Sequence, residues 1–277
     1  MSFPDYPIID AWIQHPTPQL MRQPMFESIL RWMKLDTIPE SVPLGLTLGA
    51  LEAARVEVAI TTAWYAPWGT IISNDEVAAQ VDESKGRLRA VAGVDLRRPM
   101  EAVREIRRCV ANGFVGVRML PWLWDLPPDD RRYYPVYATC VELGIPFCTQ
   151  VGHTGPLMSS EPGRPIPYLE RVAIDFPELT IVAGHIGYPW IAEVISLARK
   201  FPNFFVDTSA YKAKRWPPEF VEFLRGPGKS KVMFASDFPM ITPFACLEGL
   251  DSLALEPKTL RSLMRDTAAS VFRLALA

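Results

Sequence analysis

The chain has 277 residues, with 29 Lys and Arg against 31 Asp and Glu and a formal net charge of -2. This balance excludes broad electrostatic attraction to nucleic acid or an anionic membrane and points to a small-molecule partner. No run of about 20 apolar residues is present, and the N-terminal MSFPDYPIID lacks a basic stretch followed by an apolar one, so a soluble cytoplasmic protein is expected.

The predicted strands, in chain order, are PIIDAWIQ (7–14), VEVAITTAW (56–64), RLRAVAGVD (87–95), FVGVRML (114–120), IPFCTQVGH (145–153), LTIVAGH (179–185), NFFVDTS (203–209) and KVMFASD (231–237). They are near-continuous apolar runs, as in strands buried on both faces of a parallel sheet. Helical periods separate them. EAVREIRRCVANG carries Val103, Ile106 and Val110 on one stripe and stops at Gly113; PYLERVAIDFPEL carries Leu169, Val172, Ala173 and Phe176. Leu260, Leu263, Met264, Val271 and Leu274 give a last helix.

From the second strand onward the starts lie 24 to 34 residues apart, the length of one strand, turn, helix and turn. Eight such units predict an α/β fold, a single (β/α)8 TIM barrel over residues 1–277, rather than a doubly wound sheet, for which no GxGxxG follows a strand. Two connections are longer than closure needs, 15–55 and 154–167. Both leave the C-terminal face, where barrel enzymes keep their active sites, and are candidate lids. Cys109, Cys140, Cys148 and Cys246 form no CxxC pair and are expected to be reduced structural thiols.

The three histidines all fall at or just past strand ends: His15, His153 and His185, with Asp237 closing the eighth strand. A lone histidine there is commonly a hydrogen-bonded structural residue. Alternation along each strand, however, directs His153, His185 and Asp237 to one mouth, where two imidazoles and a carboxylate suit an open divalent metal site. Asp237 is also a candidate general acid or base, with His185 beside it.

At IIDAWIQ, VGVRMLP, QVGHTG, VAGHIGYPW, FASDFP and RDTAASVFRL the chain resembles the amidohydrolase-related family, the amidohydrolase 2 branch of the amidohydrolase superfamily, which includes aromatic-acid decarboxylases and lactone hydrolases. The resemblance implies one divalent metal, zinc first and iron or manganese next, held by His153, His185 and Asp237, and a homodimeric assembly. The first strand departs from it. Where the family carries HxH or ExH two residues after an Asp such as Asp10, this chain has Trp12 and Gln14. Gln14 or His15 could complete the shell, or metal could be absent.

Trp12, Gln14, Trp64, Trp122 and Trp190 cluster at strand ends and suggest a pocket for a flat or apolar substrate, with Arg118 able to grip a carboxylate in a fork. Three functions compete. One is a metal-dependent hydrolase of a small cyclic or aromatic ester, lactone or amide, with Asp237 as base toward a metal-activated water. The second is a metal-dependent decarboxylase in which Arg118 and the metal hold the acid and a nearby group protonates carbon. The third is a degenerate barrel that binds a small ligand or a protein partner.

Overall fold

The computed structural model describes residues 5–275. All eight predicted strands form, each shorter than its apolar run: β1 (Ile8–Asp10), β2 (Val56–Thr62), β3 (Leu88–Val91), β4 (Val117–Met119), β5 (Phe147–Gln150), β6 (Ile181–Gly184), β7 (Phe204–Asp207) and β8 (Val232–Met233). β1, β2 and β3 pair in parallel, and so do β4 through β8 in sequence order. Bridges between Ala92 and Val117 and between Ile13 and Phe238 join the two sheets into a closed barrel. The Ala11 N–H donates to the Phe234 carbonyl at 2.9 Å and the Asp237 N–H to the Trp12 carbonyl at 2.9 Å, which fixes the first and last strands at the mouth.

Helices follow the strands because their apolar stripes need the barrel wall. Helix Pro99–Ala111 buries Val103, Ile106 and Cys109, and Gly113 beyond it takes φ +89°, the left-handed turn that favours glycine. The four cysteines are buried free thiols. No described helix is long and apolar enough to cross a membrane. Between β2 and β3 the chain adds an antiparallel hairpin, Trp64–Ala66 with Gly69–Ile72, which the apolar pattern does not announce.

The two long connections meet above the mouth. Residues 15–55 fold into helices Pro18–Met21, Glu27–Met33 and Leu44–Ala53. The Ser28 hydroxyl donates to the Gly155 carbonyl at 2.6 Å, and the Leu157 N–H to the Met25 carbonyl at 2.8 Å, so each connection holds the other in place.

Candidate active site

The cavity beneath these connections measures about 480 Å³, and its wall includes Trp12, Gln14, Trp64, Trp122, Gln150, His153, His185 and Asp237. Two indoles form one side. The Trp64 Nε1–H donates to Gln14 Oε1 at 2.6 Å, and the Trp122 Nε1–H to Gln150 Oε1 at 2.7 Å. The two rings lie 6.0 Å apart between centroids, with Phe26 5.8 Å from Trp64. Each Gln therefore fixes one ring in a wall, which suits a flat guest.

His185 and Asp237 come together at the inner end, with Nε2 and Oδ2 3.7 Å apart. Both occupy left-handed backbone, φ +71° and +68°, which a β-strand cannot continue, so each side chain turns off its strand end into the mouth. The His185 ring is held from behind. The Ser209 hydroxyl donates to Asp207 Oδ1 in a short contact, and Ser209 Oγ also contacts His185 Nδ1. Because the hydroxyl proton points to Asp207, Ser209 Oγ accepts from Nδ1–H, and the Nε2 lone pair then faces Asp237. Asp207 Oδ1 accepts a further bond from the Ser209 N–H at 2.9 Å. Asp207 and Ser209 lie in the predicted strand NFFVDTS; an Asp at a strand's C-terminal end, the same signal that marks Asp237, could have flagged the pair. Ser209→Ala is expected to lower kcat about tenfold with KM within twofold, since it frees the ring without touching the cavity wall; an unchanged kcat would remove the positioning role.

Burial and the Asp207 carboxyl push Asp237 well above the ordinary carboxylate range, against the opposing Arg118 charge. Burial, aided by the Arg118 charge, lowers His185 to about 3. Burial thus disfavours the charged form at both members of the pair. Asp10, fully buried at the end of β1, is pushed up from 3.8 to about 7, chiefly by burial. Its folded state binds a proton more tightly than the unfolded chain, so its contribution to stability is full below about pH 4 and is lost as pH rises to about 7. His185 acts oppositely: its unfolded form gains a proton below about 6.5, and stability falls from there toward pH 3. Asp10→Asn is expected to flatten the decline in unfolding free energy between pH 5 and 8 measured by urea titration, and an unchanged slope would contradict this account.

Several expected residues are placed elsewhere. β5 ends at Gln150, and Gly152 turns at φ +88°, where an added Cβ would lie 2.3 Å from the Tyr188 carbonyl oxygen. Strand alternation therefore does not reach His153, which is exposed at the cavity rim. His15 points away: its Nδ1 lies 2.7 Å from Thr47 Oγ1 and its Nε2 3.2 Å from the Val42 carbonyl. Trp190 is outside the cavity wall and packs 5.8 Å from the Arg164 guanidinium. Arg118 is buried across the barrel interior. Its Nη2 donates to the Ala11 carbonyl at 2.9 Å, and its guanidinium stacks 3.7 Å from the Trp12 ring centroid. It does not line the main cavity, where the sequence had suggested a grip on a substrate carboxylate.

The donor set does not fit a divalent ion. Trp12 offers no lone pair, both ends of the Gln14 amide are used, by Trp64 and by the His15 carbonyl at 3.2 Å, and both nitrogens of His15 are engaged elsewhere. Among the described residues, no three His, Cys, Asp or Glu are grouped so as to hold a metal, so the expected triad of His153, His185 and Asp237 is not assembled.

A family model described as Amidohydrolase matches residues 42–274. The chain belongs to the amidohydrolase family. It is 26% identical over 254 residues to a γ-resorcylate decarboxylase of Rhodococcus jostii, covering 73% of this chain and 75% of that one. Among solved structures, a Bordetella bronchiseptica TIM-barrel protein superimposes with a TM-score of 0.81 at 22% identity, covering 97% and 99% of the two chains. A 5-carboxyvanillate decarboxylase of Novosphingobium aromaticivorans, complexed with manganese and 4-hydroxy-3-methoxy-5-nitrobenzoic acid, does so at 0.70 and 16%, covering 98% and 97%. These superpositions establish the TIM-barrel fold. A second curated relative, from a Polaromonas species and 23% identical over 216 residues, is also a γ-resorcylate decarboxylase, a name that matches the lyase alternative and not the hydrolase that the sequence put first.

Proposed function

We propose that this amidohydrolase-family enzyme is a decarboxylase of an aromatic carboxylic acid, and that it works without a bound divalent ion. The observation that carries the reading is the His185–Asp237 pair, 3.7 Å apart at the inner end of an aromatic cavity. The ring lies against Trp64 and Trp122. Asp237 delivers its proton to the ring carbon that bears the carboxylate; the carbon–carbon bond then breaks, its electron pair restores the aromatic ring, and CO2 leaves. The Asp237 carboxylate, 23% exposed, regains its proton from solvent entering the cavity, with the His185 Nε2 lone pair facing the restored acid. Ring hydroxyls ortho or para to the carboxylate make that carbon basic enough to accept a proton.

Among the described residues, no Lys or Arg lines the cavity. A carboxylate that loses its charge as CO2 forms is favoured in such surroundings, since no cation holds the ground state back. Hydrolysis asks Asp237 to act as an ionised base near neutrality, against the direction in which its surroundings shift it. Dialysis against a strong chelator is expected to leave CO2 release from hydroxybenzoates and the Tm unchanged, with metal well below one ion per chain by elemental analysis. One zinc, iron or manganese per chain, removed together with turnover, would overturn the metal-free mechanism. A panel of hydroxybenzoates that yields no CO2, beside a lactone that is opened, would overturn the lyase reading.

A further inference from the structure

The cavity is larger and more one-sided than a single hydroxybenzoate ring requires. Pockets of roughly 300–1,000 Å³ bury drug-sized ligands rather than one ring, and this one reaches about 480 Å³. Apart from His153 at the rim, its polar side chains include His185, Asp237, Gln14 and Gln150, and the oxygens of both glutamines are already taken by indoles. Outward, the wall along the first long connection is apolar: Leu20, Met21, Ile29, Leu30, Met33 and Leu46 all face the cavity. Trp32, Leu35 and Leu46 line the same wall and are 51%, 40% and 51% exposed. Single exposed apolar residues need no explanation, but a contiguous set on one cavity wall marks a surface that a ligand covers.

Charge narrows the class further. With no Lys or Arg on the wall, a second anionic group on the guest would be buried unpaired, at a cost of several kcal/mol. We infer that the substrate is a hydroxybenzoate with a single carboxylate and an alkyl or aryl tail, the tail lying along the first long connection between Leu20 and Leu46. This rests on the decarboxylase reading of the inner site and assigns the outer wall to substrate selection. Leu30 and Leu46 are the specificity-determining positions: both line this wall, Leu30 half-buried and Leu46 exposed.

Binding is measured separately from turnover, by quenching of tryptophan fluorescence and by calorimetry, with 5-pentylresorcinol and resorcinol as probes. Each buried methylene strengthens binding about 4-fold, from about 0.8 kcal/mol. The pentyl probe is therefore expected to bind at least about 30-fold more tightly than resorcinol. Leu30→Glu, and Leu46→Glu at a position too exposed to threaten folding, are each expected to cut that ratio at least tenfold. Benzoate is expected to bind at least tenfold more tightly than isophthalate, which carries a second carboxylate. Equal affinity for the two resorcinols, or a ratio untouched in both variants, overturns the tail assignment; isophthalate binding as well as benzoate overturns the single-anion limit. Tight binding of the pentyl probe without CO2 from 2,4-dihydroxy-6-pentylbenzoate overturns the decarboxylase reading and leaves the tail wall standing.

Discussion

Asp237→Asn is expected to lower kcat for CO2 release at least about 10³-fold, the scale of a lost general acid, while KM changes by no more than a few fold. Asn keeps the shape of the side chain and removes its transferable proton. It also tolerates left-handed backbone better than most residues, so a site at φ +68° accepts it and the Tm should hold. The pH profile supplies a second readout. The active form of Asp237 is protonated, so the wild-type rate should fall as pH rises through its elevated pKa. His185 stays neutral down to about 3 and adds no acid limb above that. An Asn variant within tenfold of wild type would remove Asp237 from the chemistry.

Arg118→Met carries the largest expected change in stability. The substitution leaves the Ala11 carbonyl without its donor and takes the stacked cation away from Trp12. It also strips the buried Asp10 and Asp207, and Asp237 on the cavity wall, of the positive charge they share. Breaking a buried charge cluster by deleting one sign costs about 3 kcal/mol or more. The sign of its pH dependence follows: without the guanidinium the folded carboxyls hold their protons still more tightly, so the penalty grows as pH rises and shrinks toward pH 4. Urea unfolding at pH 4.5 and 8 measures this, and a loss under 1 kcal/mol at pH 8 would contradict the arrangement. Arg118→Lys, which keeps the charge and gives up the flat stack, should fall between the two.

The barrel was legible because strands buried on both faces must be apolar throughout, and each of the eight runs contains its strand. The site was legible only in part. His185 and Asp237 follow their strands within one to four residues, so strand position predicted their convergence. His153 failed the same argument because Gly152 reverses the chain before alternation can reach it. Arg118 is off the main cavity wall for a different reason: sequence placed it near the mouth but could not show that its guanidinium stacks on Trp12 and bonds the Ala11 carbonyl. The strand-end position of Asp207 is a signal that sequence carries, but its support of His185 through Ser209 depends on a contact between neighbouring strands, which no pattern within one strand shows. Trp12 and Gln14, the departures at the first strand, turn out to be wall and support. Gly184 shows how closely Trp12 is seated, since a Cβ there would come within 2.9 Å of its ring.

The interior of the barrel places three carboxyls, Asp10, Asp207 and Asp237, around one guanidinium. Burial shifts all three upward. The one guanidinium opposes that upward shift at Asp207 and at Asp237. With three carboxyls against a single fixed cation, the acidity of the medium sets how much like-sign repulsion the barrel's interior must hold.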